Sequence, residues 1–237
     1  GSSKRMGWRH APSYFPGHMA KATRQLREMV ECVDLAIELR DARLPNSSAP
    51  PRNAINLIPH HKRMLVFNKV DRIDKHDQQD LLHAHGDDTR FISAELGTGV
   101  DSLLDDAIRR VTTNSPRLVR GAAARHVPPP LLSDAVTRPL AKHGGGGTLP
   151  LILMVFGAPN TGKSSLINAL RGVVPEAGRR KKPARTGPLP GVTRQQNGFQ
   201  VSWAPPVFLL DTPGVLPPRI DGGWLMTLRL AAAGILS

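Results

Sequence analysis

Two spacings of apolar residues divide the chain. From Met19 to Val33 the apolar positions Met19, Ala22, Leu26, Met29, Val30 and Val33 fall mostly three and four apart, the spacing of one helix face. A second helical stripe runs through Val100, Leu103, Leu104, Ala107, Ile108 and Val111 within Gly97–Val111. Ser165–Arg171 is a shorter helix-compatible stretch, and Asp74–His85 predicts another short helix with Leu81 and Leu82 turned inward. Between these lie runs that are short and almost continuously apolar: Asp34–Arg40, Lys62–Phe67, Leu149–Phe156 and Pro206–Leu210, with lesser pieces at Thr89–Ile92 and Gln200–Trp203. Such runs, punctuated by Pro and Gly, read as buried strands. Pro45 ends the first one, because it brings no N–H to a ladder, and a loop containing Pro and Asn is expected to follow. Strands alternating with helices predict an α/β domain around a mostly parallel sheet.

The pattern lapses twice. Residues 114–148 hold five Pro and five Gly, including Pro128–Pro130 and Gly144–Gly147, and are expected to be a linker with at most one short helical piece. Glu176–Arg194 has no apolar period, carries Arg179, Arg180, Lys181, Lys182 and Arg185, and is expected to be a mobile loop ending in Pro190-Gly-Val-Thr193. The expected organisation is therefore a basic arm and helix over 1–33, the first part of the domain over 34–113, the linker over 114–148 and the second part over 149–237.

The strand ends carry the chemistry. Leu149–Phe156 runs into Gly157-Ala-Pro-Asn-Thr-Gly-Lys-Ser164, which fits G-x-x-x-x-G-K-[ST] in the strand, loop and helix setting that a P-loop requires. There Asn160, Thr161, Gly162, Lys163, Ser164 and Ser165 are expected to wrap phosphates, with Lys163 on the β- and γ-phosphates and the Ser164 hydroxyl on Mg²⁺. Lys62–Phe67 delivers Asn68-Lys69-Val70-Asp71. A carboxylate at Asp71 accepts from both N1–H and the 2-amino group of guanine, while adenine offers neither donor, so ATP would leave it unpaired. Asn68 is expected to bridge the base edge and its loop, and Ser93-Ala94, after the next strand, to offer the Ala94 N–H to the guanine carbonyl. Asp211-Thr-Pro-Gly214 ends the last strand, where a P-loop enzyme places a carboxylate near Mg²⁺ and a glycine N–H near the γ-phosphate; Thr193 supplies a switch hydroxyl to the metal.

Five guanine-nucleotide motifs are thus present, but NKVD and SA precede the P-loop, the switch threonine and DTPG. The expected architecture is a P-loop GTPase three-layer α/β fold, circularly permuted, with the old ends joined through 114–148. Composition agrees with a partner that is a polyanion: the formal charge is +13, and 23 of the 32 basic residues are Arg, whose forks suit RNA phosphates and bases, although membranes and acidic proteins also attract such a surface. The single Cys32 excludes an internal disulfide and is expected to be a small buried residue. The longest apolar run is far short of the roughly 20 residues that span a bilayer, so a soluble protein without a membrane span is expected. Gly1-Ser-Ser is set aside from fold reasoning.

The permuted order, together with Tyr14-Phe-Pro-Gly-His-Met-Ala-Lys-Ala22 and Asp41-Ala-Arg-Leu-Pro45, resembles the YlqF/RbgA family of ribosome-assembly GTPases, over Tyr14 to about Gly234. The resemblance implies a GTPase that binds GTP and GDP with Mg²⁺, acts on the precursor of the large ribosomal subunit through rRNA, ribosomal proteins and other assembly factors, and leaves after hydrolysis. For the mitochondrial branch the compartment is the mitochondrial matrix; the alternative is the cytoplasm of a bacterium. The family's C-terminal helical domain, which touches ribosomal RNA, is expected to lie outside this chain, whose last residue is Ser237. Two rival readings are a nucleotide-bound RNA-binding placeholder with little hydrolysis and a GTP-dependent RNA-modification subunit; intact Lys163, Ser164, Asp211 and Gly214 weigh against the first. After DTPG the chain has Val215 and Leu216, neither able to orient a water, so the site alone should turn over no faster than about 10⁻³ s⁻¹. Two candidates for the missing group come from the resemblance: His18, whose family counterpart acts in hydrolysis, and a monovalent cation such as K⁺ held partly by Asn160.

Overall fold

A computed structural model describes residues 24, 26–114, 150–173, 198–203 and 205–211. Six strands form one sheet: β1 Leu35–Asp41, β2 Arg63–Asn68, β3 Arg90–Phe91, β4 Leu151–Phe156, β5 Gly198–Trp203 and β6 Pro206–Asp211. Their spatial order is β3-β2-β1-β4-β6-β5. All neighbours run parallel except the hairpin pair β5 and β6, which is antiparallel. The two central strands come from opposite sides of the 114–148 stretch, with Leu35 beside Leu153 and Glu38 beside Phe156.

Alternation of side chains builds a core on each face. Leu35, Ile37 and Leu39 of β1, Leu151, Leu153 and Val155 of β4, and Val207 and Leu209 of β6 point to one side. Ile152, Met154, Phe156, Phe208 and Leu210 point to the other. A sheet apolar on both faces must be covered on both. Helices α4 (Val100–Asn114) and α5 (Lys163–Val173) cover the first face, α4 through the stripe Val100, Leu103, Leu104, Ala107 and Val111 and α5 through Leu166, Ile167 and Leu170. The second face takes α1, helical over 26–32, through Leu26, Met29, Val30 and Cys32, and α2 (Arg52–Ile55) through Ala54. A smaller cluster seats α3 (Lys75–His85) by Leu81 against Phe67 and Ala42. The result is the expected three-layer α/β arrangement.

Local chemistry accounts for the boundaries. Asp74 caps α3 by accepting the Asp77 N–H at 2.8 Å, and Gly86 ends it at φ +85°, a conformation open to glycine. The Lys62 ammonium donates to the carbonyls of Val30 and Val33 at 3.4 and 3.1 Å, closing the end of α1 against the turn before β2. Several expectations need correction. The segment after Pro45 is not all loop: α2 forms after Pro51, whose fixed φ suits the position before a first helical turn. Leu82 is only half-buried while Leu81 is buried, because α3 meets the sheet by a narrow edge, and Ile108 is partly buried at the rim of its stripe. Helix α5 starts at Lys163 rather than Ser165, and β3 shrinks to two residues. Cys32 is buried, as expected. The linker 114–148 beyond Asn114, the loop Glu176–Arg194 and most of the basic arm lie outside the described residues. Among the described residues no helix is long and apolar enough to cross a membrane.

Leu153 sits at the centre of this arrangement, fully buried between β1 and β6. Leu153→Ala is expected to cost about 2–5 kcal/mol in chemical denaturation; a loss under about 1 kcal/mol would mean that the two halves of the sheet are not packed as described.

Candidate functional site

Every motif in the described part leaves the sheet at the carboxyl ends of parallel strands, the edge where open α/β sheets bind ligands. Asn68 ends β2, Ser93 and Ala94 follow β3, Gly157 follows β4 and Asp211 ends β6. Sheet order makes β1 and β4 neighbours, so the NKVD and P-loop segments meet across the end of β1.

The P-loop owes its shape to two glycines that act differently. A Cβ on Gly157 would lie 2.3 Å from the Leu39 carbonyl oxygen, so this glycine is required by close approach to β1 rather than by an unusual φ. Gly162 has φ +96°, and a Cβ there would lie 2.2 Å from Asn68 Nδ2. Asn160 also takes a left-handed conformation at φ 56°, which Asn tolerates better than most residues. Thr161, expected to face phosphate, uses its buried hydroxyl to donate to the Ala158 carbonyl at 2.9 Å, tying the loop to itself. The buried Lys163 ammonium donates to the carbonyls of Gly157 and Ala158 at 3.0 and 2.7 Å, which fixes its head within the loop. Ser164 and Ser165 sit half-buried in the first turn of α5.

Asn68 joins the loops. Its Nδ2 donates to the Thr161 carbonyl at 2.9 Å, and its Oδ1 accepts the Ala94 N–H at 2.9 Å. The Ala94 N–H, expected to face a guanine carbonyl, is thus engaged by Asn68, and its work in the structure is to hold that amide. Lys69 takes φ 64° and reaches across to donate to the Asn160 carbonyl at 2.8 Å and to Asp41 Oδ2 at 2.9 Å. Asp71 lies in the 3-10 turn Val70–Arg72. A hydrogen bond from the Ser93 side chain, helped by Arg72, holds the Asp71 carboxyl below its ordinary range against the opposing pull of burial. It is therefore ionised at neutral pH, the state needed to accept two donors. Ser93, expected at the nucleotide, serves as the holder of Asp71, and it also accepts the Leu96 N–H at 3.2 Å.

Sequence reasoning used Asp41 only as part of a resemblance. The structure buries its carboxylate completely and surrounds it with the Arg43 backbone N–H, the Arg43 fork and the Lys69 ammonium. Burial is the largest single influence and pushes this carboxyl up; the bonds from Arg43 and Lys69 together outweigh it and hold it below its ordinary value. The one signal in the sequence was a carboxylate at the end of the strand run Leu35–Asp41, which already carries Glu38 and Arg40.

For a metal, Ser164 is placed at the start of α5, and Asp211 is in register with Val155 of β4, two residues before the P-loop begins. These oxygen donors suit Mg²⁺, and among the described residues no group of three His, Cys, Asp or Glu gathers into a metal-binding set of its own. His18, Thr193 and Gly214 lie outside the described residues.

The chain matches the protein family described as 50S ribosome-binding GTPase over residues 152–233. Ribosome biogenesis GTPase A of Bacillus licheniformis is 31% identical over 233 residues, covering 94% of this chain and 68% of that protein. The chain belongs to the YlqF/RbgA GTPase family. Mitochondrial ribosome-associated GTPase 1 of Ictalurus punctatus is 35% identical over 218 residues, which is 91% of this chain and 60% of that protein. The chain thus spans about 60% of the length of such relatives. Among solved structures, GNP-bound YlqF from T. maritima superposes with a TM-score of 0.53 at 20% identity, over 91% of this chain and 66% of that one, a likeness of fold. Motif order and sheet order together are consistent with the circular permutation expected from the sequence.

Gly162→Ala tests the junction. It forces a side chain into a left-handed conformation and onto the Asn68 amide, and is expected to cost about 1–3 kcal/mol of stability by denaturant titration. A variant as stable as the parent would mean that Asn68 does not sit against the P-loop.

Proposed function

We propose that this chain is the GTP-binding and GTP-hydrolysing module of an assembly factor that acts on the maturing large ribosomal subunit in the mitochondrial matrix. The observation that carries the reading is the Asn68 side chain, which clamps the P-loop and the SA loop at once and so makes a phosphate cradle and a guanine-reading carboxylate parts of one cleft. In this reading Asn160 to Ser165 wrap the phosphates of GTP or GDP, Lys69 and Asp71 address the base, and Ser93 and Ala94 hold the residues that do so. Ser164, Thr193 and Asp211 would hold Mg²⁺, which when bound neutralises phosphate charge; Gly214 would offer its N–H to the γ-phosphate. The names of the relatives, mitochondrial ribosome-associated GTPase 1 and ribosome biogenesis GTPase A, support the ribosomal partner and, for the first, the compartment. The charge of +13, carried mostly by Arg, supports contact with ribosomal RNA, with ribosomal proteins and other assembly factors as further partners.

Base selection is tested at Asp71. Asp71→Asn turns two acceptors into one acceptor and one donor, so the variant is expected to prefer xanthosine nucleotides, which carry a carbonyl where guanine has its amino group. Titration with GDP, XDP and ADP reads the change; equal affinity of the unmutated chain for ATP and GTP would sink the assignment.

Because the chain has Val215 and Leu216 after DTPG, two groups are proposed for hydrolysis, either of which suffices for the reading: His18, and a K⁺ ion held partly by Asn160. His18→Ala is expected to slow turnover on ribosomal large subunits at least about a hundredfold at unchanged GTP affinity. Turnover should be faster in KCl than in NaCl, and Asn160→Ala should remove that difference. Parent-like turnover of His18→Ala would make His18 structural, and equal rates in the two salts would remove the cation.

A further inference from the structure

We infer that Asp41 is a positioning residue of the nucleotide site, holding the Lys69 side chain across the cleft so that its stem forms a fixed ledge for the base. The inference rests on the reading of the cleft as a guanine-nucleotide site.

Asp41 is the last residue of β1 and lies in register with Asn68, the last residue of β2. Its own N–H donates to Ser48 Oγ at 2.9 Å, and that hydroxyl donates onward to the Leu44 carbonyl at 2.7 Å, so the turn after β1 is closed upon it. The Arg43 guanidinium grips the carboxylate with Nε on Oδ1 at 3.0 Å and Nη2 on Oδ2 at 2.7 Å. Such a fork fixes the plane of the carboxylate. Oδ2 is thereby aimed at the Lys69 ammonium, 2.9 Å away.

Lys69 needs this support. A lysine at φ 64° stands in a conformation that costs about 1 kcal/mol or more for a residue with a Cβ, and four free methylene torsions would normally scatter its head. Here the head is held from both sides, by Asp41 and by the Asn160 carbonyl at 2.8 Å, a residue 91 positions away in the chain. The stem must then run from the NKVD turn to the P-loop. Lysine stems offer apolar surface along their length while the charge is satisfied at the tip. A planar heterocycle whose edge is read by Asp71, two residues on, meets that surface. Asp41 touches neither base nor phosphate; it acts through Lys69.

The test is a double-mutant cycle on GDP affinity, using the parent, Asp41→Asn, Lys69→Ala and the double variant, with the thermal midpoint measured for each without nucleotide. Asp41→Asn is expected to weaken GDP about tenfold, within the range of coupling between contacting residues, and to cost nothing further in the Lys69→Ala background. A residue that merely stabilised the fold would lower the midpoint in both backgrounds without this coupling in affinity. Parent-like GDP binding by Asp41→Asn, or a tenfold loss that persists after Lys69→Ala, overturns the inference. Where Asp41→Asn does not fold, Asp41→Glu carries the same cycle: the charge is kept but displaced, the loss is smaller, and it too must vanish with Lys69→Ala. A parent chain that fails to bind GDP overturns the nucleotide reading and this inference together, whereas a parent that binds GDP with an unaffected Asp41→Asn overturns the inference alone.

Discussion

One buried side-chain amide sets the terms for the whole carboxyl edge of the sheet. Asn68 satisfies a carbonyl of the P-loop with its nitrogen and an N–H of the SA loop with its oxygen, and it is almost wholly removed from water. A buried polar group left without its partner costs about 1–3 kcal/mol, so each of the three loops is steadier with the other two in place. Other requirements follow from its place. Position 162 has no room for a Cβ, because the amide fills the space. Lys69, the next residue, turns into the left-handed region, which lets Asp71 rise into its 3-10 turn while the Lys69 head crosses to the P-loop.

Beneath this junction the charged groups are arranged by distance from water. Asp41 is fully buried and therefore meets two cations; Asp71 lies nearer the surface and is held by a hydroxyl. The first arrangement suits a group that keeps its partners, since removing either cation would leave the buried charge with only one to compensate it. The second leaves a carboxylate with acceptor capacity for a ligand. The Lys163 ammonium is bonded to two carbonyls of its own loop, which restricts the torsions of a side chain that would otherwise be free to rotate.

Strands β4 and β6 were legible because each is a nearly unbroken apolar run, β1 and β2 because apolar residues dominate short runs bounded by turn residues, and the P-loop because strand, glycine loop and helix follow in order. Helix α2 was not: Pro50-Pro51 reads as loop, and only the placement of Pro51 before the first turn turns it into a start signal. The convergence of Asn68, Lys69, Asp71, Ser93 and the P-loop could be expected from motifs. The particular bonds could not, because the Ala94 N–H is claimed by Asn68 through a register that no local pattern encodes. Asp41 stayed silent for the same reason. Its partners Arg43 and Lys69 are 2 and 28 positions away, and the second comes within reach only when β1 lies beside β2.

The adjacency of β1 and β4 has a consequence in time. A ribosome releasing this chain delivers β1, β2 and β3 long before β4, so the flank of β1 that will receive Leu151–Phe156 stands open while the intervening stretch is made. An unpaired apolar strand edge is a template for the wrong partner. The chain's first half therefore spends its early life as half a sheet, and the Asn68 amide has no carbonyl to hold until the P-loop emerges. A ligand that bound at this junction would touch segments made at the two ends of that interval, and would fasten a seam that cannot close until β4 and the P-loop have been made.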